Sequence, residues 1–234
     1  MRFVWEHNGD DTLLYSLDYI GAYTRGDCLD AAMHKMETEI ASYTDWSGQV
    51  PGPLDEIEII QEKDSDLNIA DADSDILFES EKGPLLRQEY EALKALVLKS
   101  AQDFHAMYAS IPHKKESCLP HRKTFYGNVS RTAQEMYDHT KSVNAYYFAE
   151  LNVEADNEGT IYECRKRGFE LLEQTAGFLV NDVIQGSYDE LWSLRKLMRR
   201  FLWHDRIHAK AMYRMATKTF GALGADNTFH FPTP

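Results

Sequence analysis

Several things are scarce in this chain of 234 residues. Cysteine occurs three times (Cys28, Cys118, Cys164), an odd number with no Cys-x-x-Cys spacing. That excludes a disulfide scaffold or a cysteine zinc site and fits reduced thiols. No apolar run approaches the roughly 18 residues of a membrane helix. Met1-Arg2-Phe3-Val4-Trp5-Glu6-His7 turns polar before a signal-peptide core can form. The expectation is a cytoplasmic protein with no membrane association. Positive charge is also short: 25 Lys and Arg against 38 Asp and Glu leave a net charge of −13. Because phosphate contacts need cations, that balance makes a nucleic-acid partner unlikely. Internal repeats are lacking as well.

What is present supports a packed fold. Hydrophobic residues make up 43% of the chain and aromatics 12%, which excludes wholesale disorder. The acidity is unevenly spread. Residues 1–54 hold three basic and nine acidic side chains (−6), 55–81 hold one and eleven (−10), and 82–234 hold 21 and 18 (+3).

The first 50 residues read as a small α/β unit. Met1–His7 and Thr12–Leu17 alternate like strands around the turn-rich Asn8-Gly9-Asp10-Asp11. A third extended piece, Gly21–Gly26, leads to Asp27 as a helix N-cap. Leu29, Met33, Met36 and Ile40 then recur at helical spacing to about Tyr43. Gly21-Ala22-Tyr23-Thr24-Arg25-Gly26-Asp27, running into Leu29-Asp30-Ala31-Ala32, resembles the HicB-type antitoxin fold, in which strands pass through a G-x-Y-x-x-G turn into one helix. A generic small βα layer fits the same residues.

Gly48, Pro51, Gly52 and Pro53 break this pattern. Glu56–Gln61 and Asp75–Phe78 read as strands on either side of an acidic stretch, Asp64 to Asp75. That stretch lacks the central Gly and final Glu of an EF-hand in register, so a solvated acidic loop is expected. Gly83-Pro84 marks a boundary. Beyond it four amphipathic helices are predicted, at about Leu85–Tyr108, Ala133–Leu151, Ile161–Ile184 and Asp189–Phe220. Thr132 with Glu135 makes a capping box for the second. The predicted fold is thus mainly α: a small α/β unit over 1–81, a four-helix bundle over 84–222 and a tail over 223–234.

Nine histidines give one constellation. His204 and His208 stand at i and i+4, one turn apart on one helix face, a spacing at which neutral imidazoles can chelate a divalent metal. Chance alone gives about 0.35 such pairs in this composition. His204 follows Phe201 by three and His208 precedes Met212 by four, so both share the inward stripe. His139 lies similarly between Met136 and Val143 on a second helix. The competing reading is a set of core or groove histidines bonded to polar neighbours. Glu135 and Asp205 are candidates for orienting the imidazoles, against rival roles in the capping box and in a pair with Arg206. A zincin is disfavoured, since Asp205 stands where Glu is required and only 26 residues follow His208. Arg195, Lys196, Arg199 and Arg200 read as a solvated cationic face, and His113 and His121 as part of a basic loop.

Thr132-Ala133-Gln134-Glu135-Met136-Tyr137-Asp138-His139 and Trp203-His204-Asp205-Arg206-Ile207-His208-Ala209-Lys210 resemble the two histidine-bearing helices of the DinB/YfiT-like metalloenzyme family, over about residues 85–220. The resemblance implies that His139, His204 and His208 bind one divalent cation, nickel or zinc, with open positions for water. It also implies chemistry on a small-molecule substrate, with a low-molecular-weight thiol as cofactor, and a homodimer. The alternative expectation is a non-enzymatic binding or regulatory protein whose acidic N-terminal unit docks a basic protein partner.

Overall fold

A computed structural model describes residues 1–52 and 57–233. The N-terminal strands form where alternation places them: β1 (Arg2–Asn8) and β2 (Asp11–Ser16) make a hairpin, and β3 (Tyr23–Gly26) pairs with β2. Helix α1 (Leu29–Ser47) follows, with Cys28 rather than Asp27 at its N-cap and no side-chain cap bond. Strand β4 (Glu58–Asp64) then returns parallel to β1, so the sheet order is β3-β2-β1-β4. The expected strand from Glu56 is realised from Glu58, and Glu56 itself lies outside the described residues.

Period-2 alternation gives this sheet two apolar faces. Phe3 and Leu14 pack with Met36 and Ile40 of α1, whereas Val4, Leu13 and Tyr15 face Phe78 and Trp203.

Helix α2 (Arg87–Ser110) and α3 (Ala133–Ala149) lie close to their predicted spans. Between them sits a two-strand ribbon of β5 (Lys123–Thr124) and β6 (Gly127–Asn128). Helix α4 (Ile161–Leu172) stops twelve residues short of the expected Ile184. Gly177 and Asn181 take left-handed backbone conformations there, and the Asn181 amide bonds Glu81 O and Gly83 O while accepting from Arg195 N. This segment serves as a tie and does not continue the helix. Next come β7 (Ile184–Gln185) and β8 (Leu191–Trp192), which pair with each other. Helix α5 (Leu194–Phe220) opens at Ser193, whose hydroxyl accepts from Lys196 N, and not at Asp189. Helices α2 and α3 both pack on α4 and α5. The chain is therefore helix-rich with small sheets.

Three further expectations change. Asp75–Phe78 is not a strand, because its carbonyls are taken by α5: Lys196 donates to Asp75 O (2.6 Å) and Arg199 to Ile76 O (2.8 Å). The acidic stretch is only partly solvated, since Ser65, Ile69 and Ser74 are buried and Ser74 bonds the buried Glu6. The segment after 223 is no loose tail: Phe229 stacks on Trp46 at 5.2 Å and Phe231 is buried beside it.

The cationic face of α5 is where the two halves meet. Lys196 and Arg199 are essentially inaccessible, with Arg199 paired to Glu81 at 2.5 Å. Arg206 is fully buried against Glu39 at 3.0 Å, and Lys210 pairs with the same carboxylate. Gly21, at φ +94°, lets the β2–β3 loop press on α5, where a Cβ would sit 2.5 Å from Leu202 Cβ. One continuous apolar core therefore runs from Phe3 and Met36 to Phe104 and Leu197 across the expected boundary.

Burial raises the Glu39 carboxyl, but Arg206 and Lys210 outweigh it and hold the pKa below the usual carboxylate value. The stabilisation is complete above the unfolded value of about 4.3 and is lost as pH falls through the lower native one. Glu39→Gln, which strands Arg206, should lower the unfolding free energy by about 3–5 kcal/mol at pH 7. Urea titrations should show that deficit shrinking below pH ~4.

Candidate metal centre

The centre is built on two capped helices. Thr132 Oγ1 accepts from Glu135 N at 3.2 Å and Glu135 returns a carboxylate to Thr132 N at 3.0 Å, which fixes the start of α3 one turn before His139. On α5, Phe201, Leu202 and Met212 are buried and hold the His204–His208 face toward α3.

The three imidazoles meet there. Ring centroids are 5.2 Å apart for His139 and His204, 4.6 Å for His139 and His208, and 4.4 Å for His204 and His208. One donor atom from each lies within 4.8 Å of the other two. Zinc–nitrogen bonds of 2.0–2.1 Å in a tetrahedron space their donors about 3.4 Å apart, so modest ring rotations close the triad on an ion. His204 is buried, His208 half-buried and His139 exposed, so the cluster has a dry side and a wet one.

The electrostatics favour neutral rings. Burial pushes the His204 pKa well below its usual value, helped by His208, His139, Arg200 and Arg165. His208 is pushed down to about 3, first by the loss of water around its ring and then by His139 and Arg25, and partial burial of the His139 ring lowers its pKa. A neutral imidazole is the form that ligates metal. His204 Nδ1 is one of thirteen buried side-chain atoms with no hydrogen-bond partner among the described residues. A cation at the triad is compatible with it.

Neither carboxylate proposed to orient the rings does so. Glu135 is committed to the backbone of Arg131 and Thr132. Asp205 points to a different side of α5, about 100° around the helix from His204. There it accepts from Arg165 (2.5 and 3.2 Å) and Ser100 (2.7 Å), fully buried, rather than pairing with Arg206. Burial raises the Asp205 carboxyl pKa against the pull of Arg165. His105 bonds the Tyr137 hydroxyl at 3.0 Å, and His121 bonds Asn128, so neither joins the triad.

Sequence reasoning missed Arg165, which carries Asp205 and lies 4.1 Å from the Phe201 ring centroid. Its place on the inward stripe of α4, next to Cys164 and one turn before Phe169, was the available signal. It also missed Arg25, whose charge reaches His208 from the α/β unit. Cys164 is buried and its thiol pKa raised by burial, so the helix start does not activate it.

No protein-family profile, curated protein or solved structure matches this chain. Its function is therefore argued from the triad.

Glu135→Ala is expected to leave metal stoichiometry unchanged, since the carboxylate serves the helix cap. Asp205→Asn, which strands Arg165, is expected to lower the unfolding free energy by about 3–5 kcal/mol. Metal analysis and denaturant titration of the two variants in parallel check both. A loss of metal from Glu135→Ala would restore its orienting role.

Proposed function

We propose that the chain is a metal-dependent enzyme of the DinB-like type, using His139, His204 and His208 to hold one nickel or zinc ion for transfer or hydrolysis on a small molecule. The observation that carries this is the triad itself: three neutral donors from two helices within 4.8 Å of one another, one with an orphaned ring nitrogen. The family resemblance adds the expectation of a low-molecular-weight thiol.

A divalent cation held by His139, His204 and His208 would keep its full charge and would lower the pKa of a water or thiol toward neutrality. The chain's own residues set the conditions. His204 and His208 fix the deep side of the site through the rigid α5, while exposed His139 leaves the opposite side open to a substrate. Arg200 and Arg165 add positive potential around His204, which favours an anionic nucleophile or substrate over a cationic one. Tyr147, with its ring 6.1 Å from that of His204, walls the inner side.

A second reading has one observation in its favour. Strand β4 ends the sheet, and Ile59 and Ile60 on it are partly exposed among acidic neighbours. No strand among the described residues pairs with its outer edge, and a partly apolar edge strand is the geometry of strand addition by a partner. In that reading the protein is a binding or regulatory module and the metal a clip.

The purified chain is expected to carry about one metal per molecule, and His204→Ala and His139→Ala to lose it. Metal at a hundredfold excess over its Kd should raise the unfolding free energy by about 2.7 kcal/mol in wild type and not in either variant. Unchanged metal content in both variants removes the centre. Metal retained without any thiol- or water-dependent turnover favours the module.

A further inference from the structure

A cavity of about 610 Å³ opens on the flank of α5, between that helix, β3, α1 and the segment around Phe231. Its aromatic lining is buried: Tyr23, Tyr213 and Phe231 are each no more than 7% exposed. Its cations are at the exposed edge, and two of them are uncommitted or nearly so. Arg214 has no hydrogen bond or ion pair among the described residues, and Arg25 makes one bond, to Ala70 O at 3.1 Å. Lys210, by contrast, is committed to Glu39. Three acidic side chains line the same cavity; Glu39 is committed to Arg206 and Lys210, while Asp11 and Asp27 oppose a ligand of high negative charge.

None of His139, His204 and His208 lines the cavity. Arg214 follows His208 by six residues on one continuous helix, about 9 Å along its axis and about 120° around it, so the cavity and the triad occupy different faces of α5.

We propose that this cavity binds a small organic monocarboxylate, its apolar body on Tyr23, Tyr213 and Phe231 and its carboxylate between Arg25 and Arg214. Guanidinium forks match a planar oxyanion, the aromatic floor removes apolar surface from water, and the acidic pair selects a single negative charge. This binding does not rest on the metal-enzyme reading.

The test titrates the full chain calorimetrically with 3-phenylpropionate, its neutral amide and inorganic phosphate, first in EDTA. The acid is expected to bind, and the amide at least about tenfold more weakly. Arg25→Gln and Arg214→Gln, both exposed and so compatible with folding, should each weaken the acid about fivefold or more without changing the circular dichroism spectrum. Equal binding of acid and amide, indifference to both substitutions, or binding of phosphate alone overturns the proposal. Repeating the titration without EDTA is expected to give the same affinity, since none of the three histidines lines the cavity; binding that requires a metal overturns the placement of the site.

Discussion

The constraint on which the rest depends is the burial of cations along α5. Lys196, Arg199 and Arg206 are each 1% exposed or less. A guanidinium or ammonium removed from water costs several kcal/mol unless it is paired and hydrogen-bonded. Every acceptor that satisfies these three from the N-terminal side comes from residues 39 to 81: the carboxylates of Glu39 and Glu81 and the carbonyls of Asp75 and Ile76. The α/β unit is thereby fixed on α5, and with it the histidine face that α5 turns toward α3. Asp205, on a third side of the same helix, binds Arg165 and ties α4 to the same frame. One helix thus sets the position of every other layer.

This arrangement bears on the charge distribution. Residues 1–81 carry the excess of acid and the remainder a slight excess of base. Part of that acid pairs with the other half, Glu39 with Arg206 and Glu81 with Arg199 in the interior and Asp71 with Arg122 at the edge. Most of the net charge lies outside these pairs.

The elements with strong local signals were legible in the sequence. The hairpin at Asn8–Asp11, the capping box at Thr132 and Glu135 and the periodicity of α2, α3 and α5 all sit within a few residues of expectation, because turn chemistry and amphipathic spacing are local. The approach of His139 to the pair on α5 was legible too, from shared inward stripes. What failed was non-local. The truncation of α4 depends on Asn181 reaching Glu81 and Gly83, and the loss of the strand at Asp75–Phe78 depends on side chains more than 120 residues away. Charge on a helix face reads as solvated unless its partners are known. For that reason Arg199 and Lys196 were placed in water and Asp205 beside the imidazoles.

The long reach of these ion pairs bears on how the molecule is made. Glu39 and Arg206 are 167 positions apart, and Glu81 and Arg199 are 118 apart. At a synthesis rate of about 5–20 residues per second, Glu39 waits roughly 8–33 s for its partner to be added. During that wait the first sheet has Val4, Leu13 and Tyr15 on a face that Trp203 has not yet covered. The nascent unit is strongly anionic over the same interval, and self-repulsion among like-charged chains is a known brake on premature association. The acidity that later closes onto α5 would thus act earlier as a solubilising charge, protecting an unfinished surface until the helix that completes it emerges.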